Sequence, residues 1–512
     1  MGASVQGIIS LGAGGTVIDV ECALSNSLPG IIIVGFAGRA LAEAKERIRG
    51  AFAYSRIMLP RKRITVNLAP ADIPKSDSSF DLAIAVAILQ AGEQIKMAPN
   101  AAQAFIGELG LDGHTRAVRG IIGKILFGRS KGIVTFFIPR ANLRQARLVP
   151  GVSLVPVSTL SELFGHLSGA APITPVATGV GGQQTEVTAP VSPPSHTLGA
   201  VVGQRQAKRA LEIAAAGGHN VFFSGPPGTG KSMLAKALPS ILPPLHAEEM
   251  LEVTHLHSLA SQNYEQIIAA RPFRAPHHSA SFVAITGGGA RLKPGEISLA
   301  HRGVLFFDEL PEFSRATLEA LRQPLEDRVV SIARARDSIE YPANFIMVAT
   351  ANPCPCGYYG VDDNSCHCQP YDIRNYQQKV SGPILDRIDL CCDVHEVQHS
   401  KLLGDKIDGE DDATVRQRVM QARQRQAERY ASSSKLNNDM TNEDVKKLSH
   451  LTAQAKKSLN QAADRLHISA RSYMRAIKVA RTIADLEQSA EITDAHITEA
   501  LRYRAPGRKG QP

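Results

Sequence analysis

Tryptophan is missing from this 512-residue sequence, and aromatic residues of all kinds make up only 5% of it. A chain so poor in rings is badly equipped to stack on many nucleobases, which argues against aromatic platforms as its means of holding a polymer. Long hydrophobic runs are also missing. No stretch approaches the roughly 20 apolar residues that cross a bilayer, and Ile31–Val34 is a short core strand at most. The first residues hold no basic stretch followed by an apolar one, so neither a secretory leader nor a membrane partner is expected. Cysteine is sparse and uneven: of seven, Cys354, Cys356, Cys366 and Cys368 form one cluster, Cys391 and Cys392 are adjacent, and Cys22 is alone. Without a leader, such a cluster reads as metal ligands before disulfides, and the expected compartment is the cytoplasm. An acidic surplus is lacking as well. Lys and Arg number 57 against 48 Asp and Glu, giving a formal charge of +9 and a pI near 9.2. That excess suits a polyanionic partner such as nucleic acid, and equally a basic protein with no such partner.

What is present divides into segments. At roughly 100–200 residues per domain the length allows two to four domains. Residues 1–168 alternate short β-like and helical runs. Val17–Cys22, Ile31–Val34 and Ile64–Leu68 read as strands, and Ala40–Tyr54 and Asp81–Leu89 as amphipathic helices. Residues 169–197 carry Pro172, Pro175, Pro190, Pro193 and Pro194 and almost no charge. They read as a flexible, partly extended tether, the alternative being a loop packed on a domain. Residues 198–400 repeat strand–loop–helix, the pattern of an α/β layer with a parallel sheet. Residues 401–507 turn helical and charged, with Arg416–Tyr430 and Ala470–Leu486 the strongest helices.

The chemistry is concentrated in the third segment. The apolar strand Val221-Phe222-Phe223-Ser224 runs into Gly225-Pro226-Pro227-Gly228-Thr229-Gly230-Lys231-Ser232, and a helical run opens at Met233. This is G-x-x-x-x-G-K-S in its strand–loop–helix setting. Glycines let successive backbone N–H groups face a phosphate, and the helix N-terminus adds partial positive charge. Lys231 would reach the β- and γ-phosphates of ATP, and Ser232 would offer a hydroxyl to Mg²⁺. Val304-Leu305-Phe306-Phe307 is a second apolar strand, ending in Asp308-Glu309. Asp308 is a Mg²⁺ ligand candidate and Glu309 the candidate base that orients and deprotonates water. Phe345–Ala351 is a third apolar strand and stops at Asn352. Asn352 is either turn chemistry or a neutral contact to water or the γ-phosphate.

Three strands in this order resemble the AAA+ ATPases. Arg271-Pro-Phe-Arg-Ala-Pro-His-His278, Thr350-Ala-Asn-Pro-Cys-Pro-Cys356 and Ser381-Gly-Pro-Ile-Leu-Asp-Arg-Ile-Asp389 resemble their magnesium-chelatase-like group. The whole chain is identified as similar to the bacterial ComM/YifB family. The resemblance implies an N-terminal Lon-protease-like α+β domain, a central AAA+ P-loop α/β domain and a C-terminal helical lid. It implies a homo-hexamer that hydrolyses ATP between subunits, with Arg387 as the finger offered to a neighbour and Arg471 as the sensor of the lid. An ordinary Asp386–Arg387 pair is the plain alternative for the first. Val202 and Gly203, before Gln204, resemble the segment bordering adenine.

The family includes a natural-transformation helicase that drives branch migration, and the resemblance implies that function here, with recombination proteins as partners. Hairpin insertions that line the ring's pore are expected at Ala275–Lys293 and Arg328–Tyr341. With Arg274 just before it, the first offers His277, His278, Arg291 and Lys293; the second offers Arg328, Arg334 and Arg336. Such cations suit sequence-independent tracking of single-stranded or branched DNA, and equally a solvated surface. Cys354, Cys356, Cys366 and Cys368, with His367 as a substitute ligand, suit a structural Zn²⁺; buried thiols or a redox switch are the alternatives. Cys391 and Cys392 read as core. In the Lon-like segment, Ser79 of Pro74-Lys-Ser-Asp-Ser-Ser79 falls at the nucleophile position. The lysine position falls at Ile122, with Lys124 displaced, so the domain is expected to be non-proteolytic. Arg56, Arg61, Lys62 and Arg63 give it a basic edge or a solvated loop. Alternative functions are a magnesium-chelatase-like motor subunit, a Lon-like protein unfoldase, and a nucleotide-switched assembly module.

Overall fold

The computed structural model describes residues 3–11, 14–34, 39–70, 78–97, 102–178, 196–260, 265–289, 292–333, 338–360, 366–380, 382–397 and 410–504. The chain forms two compact units. The first comprises Met1–Ala189, His246–Ala269 and Ala333–Glu340; the second comprises Pro190–Leu245, Ala270–Ile332 and Tyr341–Pro512.

In the first unit, β1 (Ala3–Leu11), β2 (Gly14–Ser25), β3 (Gly30–Val34) and β4 (Arg63–Ala69) form a sheet in the order β1-β2-β4-β3. The three expected strands lie within β2, β3 and β4. Register places Val20 opposite both Val5 and Leu68, and all three are buried, so alternation puts one face of the sheet in the core. A second sheet contains β5 (Gln103–Phe105), β6 (Thr135–Pro139), β7 (Ser153–Val157) and β8 (Val176–Ala177) in the order β8-β7-β6-β5.

Strand β8 corrects the reading of residues 169–197 as a tether throughout. Val176 pairs with Leu154, and Thr178 exchanges hydrogen bonds with the backbone of Val152. Backbone groups supply that pairing, so a composition poor in charge carries no trace of it. The rest of the segment, 179–195, lies outside the described residues.

The helix Asp81–Ala91 is also not amphipathic as expected. It is buried continuously from Asp81 to Leu89, because its residues are apolar on every face and it packs on β1 and β2. The Asp81 carboxylate is matched by Arg47 of the helix Arg39–Tyr54, whose Nε and Nη2 donate to it at 2.7 and 3.1 Å.

The helix Ala247–Ala260 joins this first unit instead of the α/β layer expected over 198–400. It lies against the helix Ile121–Ser130, where a Cβ on Gly123 would stand 2.3 Å from the His255 ring. Only glycine permits that approach.

The second unit is built on five parallel strands: β9 (Val221–Ser224), β10 (Phe273–Arg274), β11 (Val304–Phe307), β12 (Ile346–Ala351) and β13 (Leu390–Asp393). Their order is β10-β11-β12-β9-β13. Every residue of β11 and β12 is buried, as in a parallel sheet covered on both faces. The C-terminal helices Asp412–Tyr430 and Ala470–Leu486 match the two strongest expected ones. Val419, Ala422, Ile477 and Ile483 share one apolar cluster with Val221 and Leu234, so this helical region is continuous with the core of the sheet.

Candidate active site

Three functional segments leave the C-terminal ends of neighbouring strands β11, β12 and β9, the edge where open parallel sheets bind ligands. At β9 the chain turns into the glycine loop. A Cβ on Gly225 would sit 2.1 Å from the Val394 carbonyl oxygen beyond β13, so the first glycine is required by packing. Gly228 and Gly230 adopt φ of +80° and +88°, which curl the loop onto the helix Lys231–Ile241. Lys231 Nζ donates to the Gly225 and Pro226 carbonyls at 2.6 Å each and to Asn352 Oδ1 at 3.2 Å. Burial pushes its amine below the ordinary lysine range, and Asp308 and Glu309 oppose that shift. Asn352 therefore meets the lysine and is not confined to turn chemistry.

Asp308 is held by two neutral hydroxyls. Ser232 Oγ lies 3.2 and 3.1 Å from its two oxygens, and Thr350 Oγ1 donates to Oδ1 at 2.6 Å. The same Thr350 oxygen accepts the Glu309 backbone N–H at 3.0 Å. Glu309 has φ +52°, a left-handed conformation that a glutamate adopts at a cost of about 1 kcal/mol or more. Thr350 thus holds both acids from near the C-terminal end of β12, and sequence reasoning did not assign it a role. Its only signal was a polar residue inside an otherwise apolar strand. Hydroxyl partners bring no positive charge of their own to Asp308, so Ser232 and Asp308 fit a hard cation such as Mg²⁺. Gln204, at φ +52°, ties the Val202–Gly203 segment to the site. Its amide donates to the Thr229 and His395 carbonyls at 3.3 and 2.6 Å. Met233, the second helical residue after Lys231, is exposed.

The two candidate arginines meet each other through a residue that the sequence did not single out. Arg387 Nη2 lies 2.8 Å from Glu326 Oε2, and Arg471 Nη2 lies 2.6 Å from Glu326 Oε1. Arg387 is thereby paired with Glu326 and not with its neighbour Asp386.

The cysteine cluster is brought together. The Sγ atoms of Cys354, Cys356, Cys366 and Cys368 all lie within 4.8 Å of one another. Three of their separations are 3.3, 3.8 and 3.6 Å. Four sulfurs at about 2.3 Å from a tetrahedral Zn²⁺ would stand roughly 3.8 Å apart, so the four residues fit that ion. His367 is not part of the group. The Tyr358 backbone N–H draws the Cys356 thiol down to about 6. Gly357, at φ +91°, presses this loop against the glycine loop: a Cβ there would lie 2.7 Å from Pro227 Cδ. Cys391 and Cys392 are buried in β13, as expected.

Comparison with known proteins gives this geometry a lineage. Models of the magnesium chelatase subunit ChlI match residues 197–402, and of its C-terminal part residues 409–504. A third, subunit ChlI of Mg-chelatase, matches residues 20–142. The chain is 41% identical to the uncharacterized protein YifB of Escherichia coli (strain K12), over 97% of this chain and 96% of the other. It is 41% identical to the competence protein ComM of Haemophilus influenzae, with the same coverage. The magnesium-chelatase 38 kDa subunit of Rhodobacter capsulatus is 26% identical over 31% of this chain and 51% of its own. The chain belongs to the ComM/YifB family of magnesium-chelatase-like proteins. That group lies within the AAA+ ATPase superfamily.

In this ComM/YifB member the candidate DNA contacts are dispersed. Arg274 is clamped by Glu296 at 2.5 and 2.6 Å, and Arg328 is tied to Asp439 and to the Phe345 carbonyl at 3.3 and 3.1 Å. His277 and His278 are exposed, with ring centroids 4.1 Å apart. Lys293 is half-buried in a small hairpin, Gly287–Gly288 against Lys293–Pro294. Beside it Phe282 and Val283 are exposed, and neither was anticipated. Arg291, Arg334 and Arg336 lie outside the described residues.

The first unit corrects the reading of Lys124 as displaced. Its Nζ donates to Ser79 Oγ at 2.9 Å, and both residues are fully buried. Counting residues along a segment misjudged which side of a helix faces the serine. Lys124 lies in the helix Ile121–Ser130 behind a left-handed Gly120, and that start sets the phase.

Proposed function

We propose that this protein is an ATP-driven DNA motor: a hexameric helicase or translocase that promotes branch migration while incoming DNA is recombined. The observation that carries the reading is the convergence of Lys231, Ser232, Asp308, Glu309, Thr350 and Asn352 at one edge of a parallel sheet. The name of the competence protein, a relative over nearly the whole chain, supports the cellular setting. The Rhodobacter capsulatus 38 kDa subunit is 26% identical over 31% of this chain, against 41% over 97% for the competence protein, which favours DNA over a tetrapyrrole substrate.

When bound, ATP supplies the phosphoryl group and Mg²⁺ neutralises its charge. Lys231 and the loop N–H groups bind the phosphates, and Ser232 with Asp308 holds the metal. Glu309, oriented through Thr350, takes a proton from the attacking water, and Asn352 positions that water without adding charge. Arg387 and Arg471 stabilise negative charge on the transferred group at the site between subunits. Four cysteines hold a structural Zn²⁺ beside the loop. His277, His278, Lys293 and the exposed Phe282 grip DNA without reading its sequence.

The test is ATP turnover with and without single-stranded and forked DNA, for the unsubstituted chain and Lys231→Ala. Stimulation by DNA that vanishes in the variant is expected. Turnover indifferent to DNA sinks the DNA-motor reading.

The Ser79–Lys124 contact favours a second reading, a Lon-like acyl-transfer site, over the non-proteolytic one. Complete burial of both side chains weighs against it. A fluorophosphonate probe that labels Ser79, and loses the label in Lys124→Met, would establish the second reading; no label would leave the pair structural.

A further inference from the structure

Glu326 belongs to no motif that the sequence displays, yet its one carboxylate holds both arginines to which the motor reading gives phosphate chemistry. The three side chains come from separate elements: the helix Arg322–Asp327, the turn after Gly382–Leu385, and the first turn of Ala470–Leu486. Each oxygen of the carboxylate takes one guanidinium, at 2.8 and 2.6 Å. The two arginine contacts hold the carboxylate below the usual glutamate range.

Two features distinguish this from structural cement. Glu326 and Arg471 have side chains 40% and 49% exposed, so water screens their contact and its contribution to stability is small, while Arg387 is 12% exposed. The cluster is also overcompensated, with two cations on one anion. Arg387 keeps a buried Nε–H that has no hydrogen-bond partner among the described residues. An oxyanion of higher charge, presenting two oxygens to the two guanidinium groups, would satisfy the pair better than a carboxylate does.

We propose that Glu326 is a positioning residue that stands in for phosphate. It keeps Arg387 and Arg471 together as a pair, and yields them to the terminal phosphoryl group of ATP at the site between subunits. This inference rests on the ATP-motor reading above. Removing the Glu326 charge removes a competitor for the arginines, so ATP should engage them at lower concentration.

The experiment compares the full chain with Glu326→Gln, an uncharged side chain of nearly the same shape. The first readout is ATP turnover against ATP concentration. A KM lower by about fivefold is expected, the factor that roughly 1 kcal/mol supplies, with kcat little changed. A KM unchanged or raised, or a kcat that falls in its place, overturns the proposal. A purely structural Glu326 would move the melting temperature without this split. The second readout needs no turnover: modification of arginines by phenylglyoxal, mapped by mass spectrometry in the nucleotide-free protein. Arg387 and Arg471 should react several-fold faster in Glu326→Gln. Equal reaction in both proteins overturns the clasp whatever the turnover shows. Absence of Lys231-dependent turnover in the unsubstituted chain sinks the motor reading, and with it the ATP half of the inference.

Discussion

Two carboxylates in the second unit each hold two arginines, in opposite surroundings. Asp485 is 1% exposed and takes Arg481, itself 0% exposed, at 3.2 Å, and Arg429 at 2.9 Å. Asn437 donates to it as well, and Arg481 spends its remaining Nη donors on the carbonyls of Ser449, Ser489 and Ala490. Glu326, 40% exposed, takes Arg471, 49% exposed, and Arg387, 12% exposed, so two of its three members face solvent. The chemistry of the two clusters is the same, but the alternatives open to them differ. Inside, a charge that loses its partner has no water to turn to, so the cluster holds two helices together. Outside, water or a phosphate can replace the carboxylate at little cost, so the cluster can change partners.

The largest expected effect comes from breaking the inner cluster. Asp485→Ala should destabilise the C-terminal helices by about 3–5 kcal/mol, because Arg481 is left buried and uncompensated. Hydrogen exchange in Asp412–Tyr430 and Ala470–Leu486 should accelerate together; protection equal to that of the unsubstituted chain would refute the contrast. Arg481→Met should cost less, about 2 kcal/mol, since Asp485 keeps Arg429 as its counter-charge and no buried cation is left unpaired. Its check is the shift in denaturation midpoint relative to Asp485→Ala.

Asp308 sharpens the comparison as a carboxylate held by hydroxyls instead of arginines. Thr350→Val keeps the shape of the side chain and removes the hydroxyl that holds it. It removes two hydrogen bonds, to Asp308 and from the Glu309 N–H, and should lower kcat about tenfold with a loss of stability of about 1 kcal/mol or less. A large loss of stability with normal kcat would make Thr350 a core residue only.

The smallest effect is a dependence on pH. Glu326 is held below its ordinary range, so the clasp contributes above the unfolded glutamate pKa of about 4.3 and is lost as pH falls through the lower folded value. The small difference in stability between the unsubstituted chain and Glu326→Gln should hold constant from neutral pH to about 5. It should close below about 4.3; a difference that fades near neutrality would contradict it.

Contiguous chemistry was legible in the sequence. The glycine loop, Asp308-Glu309 and the four cysteines each announce themselves because their own residues lie close together in the sequence. What stayed hidden are partners joined by the fold. Thr350 lies 42 residues from Asp308, and Glu326 lies 145 from Arg471, with no local pattern to mark either. The contact of Lys124 with Ser79 failed for the same reason: helix phase depends on where the helix starts. The strand Val176–Ala177 was missed because backbone pairing leaves no imprint on composition. The even burial of Asp81–Leu89 was written in the sequence, as an apolar run with no polar face, and was read with the wrong periodicity.

The return of His246–Ala269 and Ala333–Glu340 to the first unit bears on how the molecule can be dissected. A protease cut between Ala189 and Pro190 would leave the units joined by the chain at four other places, so nicking there cannot release two free domains. Deleting residues 1–189 would strip the bed from the helix Ala247–Ala260 and bare Leu251, which packs against the apolar cluster that holds Ile121, Ile122 and Ile125. A shortened chain that aggregates would then report an orphaned helix and not a need for the N-terminal unit in turnover. Point substitutions are the cleaner scalpel here.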